Sequence, residues 1–230
     1  MKRFYKHASV AEVAGGFQVQ LDGRPIKTAL GAAQVVASRA LAETLAAEWN
    51  AQGETLDTAL FRFRDHADYA IDIVRSDRGG TITRLLQYAE TDTLCYRADP
   101  DEHFFRRQHD VWEPLLSAFE QREGIAMQRV SGIIHRAQSA LLHEKLSGRL
   151  EKLGDFPLAA LLALTSLSAS LCIGLSALEA DADADALWNA ANFEEDWQVE
   201  QWGEDFEATA VRQRRTQDFQ TAWEFYQLVK

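Results

Sequence analysis

The chain has 230 residues, 47% hydrophobic and 26% charged, with four prolines, enough to bury a core in one large domain or two small ones. A formal net charge of −11 argues against nucleic acid or an anionic membrane as a general partner, because both reward cationic surfaces. The two cysteines, Cys95 and Cys172, each sit inside an apolar run and fit reduced core thiols better than a disulfide framework.

The start, Met1-Lys2-Arg3-Phe4-Tyr5-Lys6-His7, is positive but leads into no apolar h-region, and no Arg/Ser-rich extension precedes it. The expectation is a bacterial cytoplasmic protein, or a mature form without its leader. Phe17 to Leu21 alternates apolar and polar, Asp22-Gly23 supplies a turn whose residues tolerate positive φ, and Ile26 and Thr28 continue beyond it, predicting a β-hairpin. Ser38 then caps a predicted helix with Leu41, Leu45 and Trp49 on one face, and Gly53 stands at its expected C′ position. Residues 1–60 thus read as a β-rich domain with one helix.

From 61 to 230 the pattern predicts a larger helical domain. Tyr69, Ile73 and Leu85 to Tyr88 fall in two short amphipathic stretches separated by Gly79-Gly80. Phe104, Gln108, Trp112, Leu115 and Phe119 step by three or four residues. Pro114 within them predicts a kink or a fresh start, and Gly124 a stop. A short extended piece over 125–134 precedes a helix through Leu142, Leu146, Leu150 and Leu153, and the last two helices span 187–202 and 206–228.

Leu158 to Leu178 is uncharged for 21 residues, the length of a transmembrane span. Four serines, Thr165 and a one-sided leucine stripe (164, 167, 171, 175, 178) instead predict a central helix of a bundle, so no span is expected. The acidic connector 180–185 can cap the helix after it.

Two candidate sites emerge. His66 followed by His109-Asp110 resembles the ligand arrangement of HD-type metal-dependent phosphohydrolases, although no distal aspartate is marked out. His135 and His143 have no matched partner in the sequence, and no nucleotide-binding, nucleophile-elbow or zincin motif occurs. The second candidate is the segment 188–203. Its helical stripe of 188, 191, 195, 198 or 199, and 202 is interrupted by Glu195 and Gln198. A carboxylate on such a stripe is either paired, for instance with Arg106 or Arg107, or is a recognition group flanked by the anchors Trp197 and Trp202.

Several short motifs in order carry a family resemblance: Arg3 to Lys6, Leu21 to Thr28, Ala47 to Gln52, Tyr88 to Ala98, Gln108 to Leu116, and Glu194 to Gly203. Together they resemble the assembly chaperones for the α subunit of F₁-ATPase found in mitochondria and alphaproteobacteria, the Atp-twelve-type family. One stretch departs. Phe61-Arg62-Phe63-Arg64-Asp65 stands where that family usually has a methionine-proline-leucine-threonine-like run.

The resemblance implies an α+β fold, with a small β-rich N-terminal domain followed by a larger all-helical, orthogonal-bundle domain. It implies binding to the unassembled F₁ α subunit, with no cofactor and no turnover, and a monomer without a metal site is expected. Its eukaryotic relatives would work in the mitochondrial matrix. By analogy a functional acidic residue falls at Glu195, with Glu194 second and Gln198, Trp202 and Trp197 in support.

Overall fold

A computed structural model describes residues 1–132 and 135–230. A small strand region comes first and a larger helical part follows. The chain forms two units, one of Met1–Arg78 with Gly154–Ala160 and Glu224–Lys230, the other of Gly79–Leu153 and Leu161–Trp223.

In the first unit, β1 (Ala8–Val13) and β2 (Gly16–Leu21) pair antiparallel from Ala8↔Leu21 to Val13↔Gly16. Gly16 is needed here: a Cβ on it would lie 2.3 Å from the Val36 carbonyl oxygen, and its φ is +146°. The Asp22-Gly23 turn forms as expected, with φ of 48° and 79°, and the Asp22 carboxylate accepts from the Lys6 and His7 N–H groups at 3.0 and 2.9 Å. Its far side is only the short strand β3 (Arg24–Pro25), after which the Thr28 N–H turns back to Ala32 O at 2.9 Å. The strand β4 (Val35–Val36) pairs with the start of β2.

Helix α1 (Arg39–Asn50) begins where the serine predicted it, with Ser38 Oγ accepting from Leu41 N at 3.2 Å, and it buries Leu41, Leu45 and Trp49. It ends earlier than Gly53. Ala51 caps it in the right-handed region, and the Gln52 side chain fixes the next turn through the Asp57 N–H and carbonyl at 2.7 and 3.2 Å, so no left-handed glycine is required.

Helix α2 (Arg62–Tyr69) has no side-chain cap of its own. Glu48 supplies one from α1, accepting from Phe63 N and Arg64 N at 2.7 and 2.9 Å, a carboxylate at the positive end of the helix. A π-helical turn, Ala70–Val74, continues it. Trp49, Phe61, Val19 and Leu21 share a core with two residues from far along the chain, Ala160 and Phe225.

The second unit opens with α3 (Arg78–Glu90), which carries Gly79-Gly80 in its first turn instead of being preceded by them. First-turn N–H groups have no intrahelical acceptor, so little is lost by placing glycine there. The strand β5 (Tyr96–Arg97) pairs in parallel with β6 (Val130–Ser131), which lies within the extended piece expected over 125–134. The last two residues of that piece, 133–134, lie outside the described residues.

Helix α4 (His103–Glu123) is continuous through Pro114, with no fresh start there, and stops at Gly124 in the left-handed region (φ 65°). The wholly buried Trp112 ties it down by donating Nε1–H to Ala190 O at 2.8 Å. Arg97 bonds the Gln108 carbonyl at 3.0 Å, and Arg129 bridges Glu113 and Glu120. Ser139 caps α5 (Ala140–Leu150), which buries Leu142, Leu146 and Leu150.

The uncharged run 158–178 is not one helix. It divides into α6 (Asp155–Ser168) and α7 (Leu171–Ser176), because Ala169 turns left-handed at φ 50° and Ser170 caps anew. Among the described residues no helix is long and apolar enough to cross a membrane. The acidic connector does cap its helix: Asp183 Oδ1 accepts from Ala186 N at 2.9 Å at the start of α8 (Ala184–Ala191). The predicted helix 187–202 also breaks, at Asn192, before α9 (Phe193–Trp202), and α10 (Phe206–Val229) closes the chain.

Candidate functional site

Helix α9 is amphipathic in an unusual sense: one side is aromatic, the rest is acidic, and it buries no residue fully. Its aromatic side packs on α4. Trp197 stacks on Phe104 (5.3 Å between centroids) and His103 (5.8 Å), and the Arg107 guanidinium lies 4.6 Å from its ring centre. Phe193 stacks on Phe104 and meets Trp112 edge-on. Glu200 completes the seam by accepting from Arg107 at 2.7 and 3.3 Å. Trp197 is therefore an attachment of α9 to the fold and not a free anchor.

Glu195 is half-buried and paired, but not with Arg106 or Arg107. It accepts from Arg212 of α10 at 3.0 Å, and Asp196 meets the same guanidinium at 3.1 Å. Arg212 in turn lies over the Trp188 ring at 5.5 Å. Burial pushes Asp196 above the ordinary carboxylate range, against the pull of Arg212, with Glu195 and Glu200 adding to the rise. A small hollow of about 170 Å³ lies here, with Glu195, Asp196, Val199, Glu204, Asp205 and Arg212 in its wall.

The remaining expected residues face outward. Glu194 and Gln198 are exposed, and Trp202 is 79% exposed. The stripe drawn through 188, 191, 195, 198 or 199, and 202 does not exist as one line, because the break at Asn192 turns the chain between Trp188 and Glu195. The Asn192 side chain, bonded to Trp188 O at 2.8 Å, holds that break.

The structure adds a residue the stripe could not reveal: Phe206, 93% exposed, beyond the turn at Gly203 (φ 87°), where Asp205 Oδ1 accepts from Glu207 N and Ala208 N at 2.8 and 3.1 Å to start α10. Val199 is 38% exposed nearby. Residues 193–209 hold seven carboxylates and no Lys or Arg. The α9–α10 corner is thus two large unpartnered rings and a valine in a field of negative charge. The only legible sign of Phe206 in the sequence was an aromatic amid acidic neighbours just past a Trp-Gly pair.

The structure gives the metal-site reading no support. His66 lies against Phe225 at 5.2 Å with the rings tilted, and His109 lies beside Phe105 at 6.5 Å. Among the described residues no group of three His, Cys, Asp or Glu side chains is placed to hold a metal ion. His135 and His143, which lacked partners in the sequence, share one in space. Both imidazoles reach Glu90, and His135 also meets the Tyr96 hydroxyl at 3.1 Å.

Comparison with known proteins gives a consistent picture. The family profile described as "ATP12 chaperone protein" matches residues 2–120. Protein atp12, mitochondrial, of Schizosaccharomyces pombe is 26% identical over 220 residues, covering 88% of this chain and 74% of that protein. Among solved structures, Atp12 from Paracoccus denitrificans superposes with a TM-score of 0.94 at 30% identity, covering 100% of this chain and 98% of that one. The Atu1473 protein of Agrobacterium tumefaciens, a putative chaperone, superposes with a TM-score of 0.94 at 36% identity, covering 100% of this chain and 86% of that one.

Proposed function

This chain belongs to the ATP12 chaperone family, and from that premise we propose that it holds the unassembled α subunit of F₁-ATPase, keeps it from aggregating and delivers it to the assembling F₁ part of ATP synthase. It is a chaperone, not an enzyme. We place it in the bacterial cytoplasm as a monomer, while its yeast relatives are mitochondrial by name.

The observation that carries this reading is the α9–α10 corner. Trp202 and Phe206 expose rings that ordinary folding would hide, and carboxylates surround them. Solvent-exposed aromatics set in one sign of charge suit a partner that presents an apolar surface rimmed by cations. An orphan subunit has such surface where a neighbour will later sit, and exposed patches of that kind self-associate. A chaperone that covers them through two rings and a charged rim can bind reversibly and yield to the proper neighbour.

The test is capture from a mixture of unassembled α, β and γ subunits. Selective retention of α is expected, and retention of none, or of all three alike, rejects the proposal. Trp202→Ser with Phe206→Ser should abolish capture while leaving the melting temperature nearly unchanged, since neither ring is buried. Glu195→Lys should weaken capture at a stability cost under about 1 kcal/mol, because Asp196 still pairs with Arg212. A large fall in melting temperature for Glu195→Lys would make that carboxylate structural instead.

A further inference from the structure

Three of the motifs that carry the family resemblance meet at one place remote in sequence from the acidic corner. Phe4 and Tyr5, then Leu21 to Lys27, then Trp49, together with Arg64, line a cavity of about 570 Å³ in the first unit. Its character is opposite to that of the corner. Arg24 and Lys27 bring two cations to it in a chain of net charge −11, beside Arg64, which pairs with Asp68 at 3.5 Å. Asp22, the carboxylate in its wall, is already engaged by the Lys6 and His7 N–H groups. Neither Arg24 nor Lys27 has an ion-pair partner among the described residues, and both are exposed.

Two hydrogen-bond donors in this wall are also unmet. The indole N–H of Trp49, a residue 6% exposed, and the Nε–H of Arg64 are buried without an acceptor. Neither donor atom has accessible surface, so an occupant of the cavity meets the side chains around them and not the N–H groups. The Arg64 guanidinium lies over the Trp49 and Phe61 rings at 5.2 and 4.9 Å. Phe4, 65% exposed, forms an apolar lip.

We propose that this cavity is a second recognition site, which takes an acidic side chain flanked by an apolar one from a polypeptide client. The carboxylate would answer the unpaired Arg24 and Lys27, and the apolar neighbour would pack on Phe4 and Tyr5. That the ligand is a polypeptide rests on the chaperone reading. The carboxylate chemistry rests on the cavity alone.

The experiment follows the six tryptophan indole N–H resonances of the full chain by ¹H–¹⁵N NMR, with Trp49→Phe identifying the Trp49 signal. The probes are capped acetyl-Leu-Glu-Leu-amide, its Gln counterpart, and inorganic phosphate. The Trp49 signal should move with the Glu peptide at millimolar concentration or below. It should respond about ten-fold more weakly to the Gln peptide, the worth of one charge-assisted hydrogen bond. Lys27→Glu and Arg24→Glu, both at exposed positions, should weaken the response by a similar factor without unfolding the chain.

No movement of Trp49, an equal response to the Gln peptide, or an equal response to phosphate alone overturns the proposal. The first two remove the carboxylate preference, and the third makes the cavity a free-anion site. Loss of peptide binding with α capture intact would refute only this inference. Peptide binding without α capture would refute only the function proposed above.

Discussion

Asp92 has no exposed surface, yet it organises the point where the long apolar run breaks. Its carboxylate accepts from Ser170 Oγ at 2.7 Å, Cys172 N at 2.9 Å and Leu94 N at 3.1 Å. Burial pushes it up to about 6, against the downward pull of those donors. With the folded value above the unfolded one, the native state holds the proton to higher pH. The contribution of Asp92 to stability is therefore fully present below about pH 4 and declines as pH rises towards 6, by up to about 3 kcal/mol. Asp92→Asn should remove that slope. It should also cost about 1–3 kcal/mol at acid pH, because an amide nitrogen would face N–H groups that need an acceptor. Urea denaturation from pH 4 to 7 checks both effects; a variant that keeps the full slope would show that Asp92 does not titrate there.

Elements in this protein end where side chains from elsewhere make them end. Residues 158–178 are uncharged throughout and could run as one helix. Thr93 takes the carbonyl of Ala169 with its N–H at 3.2 Å and its hydroxyl at 3.0 Å, and Asp92 takes the N-terminus of α7. The break forces Ala169 to φ 50°, where a Cβ costs about 1–2 kcal/mol. Ala169→Gly should therefore raise stability by about 1 kcal/mol, read as a shift of the denaturation midpoint at constant m-value.

Where α6 and α7 meet, the reverse holds. A Cβ on Gly174 would lie 2.2 Å from Thr165 Oγ1 and 3.0 Å from Leu161 Cδ1, both in a wall with no exposed surface. Gly174→Ala should destabilise by about 1–3 kcal/mol, through overpacking rather than helix propensity, which alone would favour alanine. A stabilised Gly174→Ala would mean that the two helices can separate freely.

At the scale of the molecule, the first unit depends on chain segments that its own strands and helices do not announce. Ala160 and Phe225 enter its core from 154–160 and 224–230, and Phe225, with no exposed surface, touches His66 and Phe156. Phe225→Ala should cost about 3–5 kcal/mol. Hydrogen exchange should locate the loss in Met1–Arg78, although the substitution lies near the C-terminus. An effect confined to α10 would show that the two segments are not part of that core. The two recognition regions proposed above are likewise distributed, an acidic aromatic corner in the second unit and a cationic aromatic cavity in the first.

Signals that act over about four residues were legible in the sequence alone. The Asp22-Gly23 turn, the Ser38 cap, the stop at Gly124, the buried face of 142, 146 and 150 and the acidic cap of α8 all follow from local φ preference, capping and periodicity. The ordered motifs likewise carried the family, and the stripe pointed to the segment that holds Trp202. Tertiary structure alone decided which groups meet across the chain. Glu195 chose Arg212, His135 and His143 converged on Glu90, Thr93 and Asp92 divided the apolar run, and Trp49 came to share a wall with Arg64. Pairing through space depends on how the elements pack, and no pattern within one segment encodes which distant donor will reach a given acceptor.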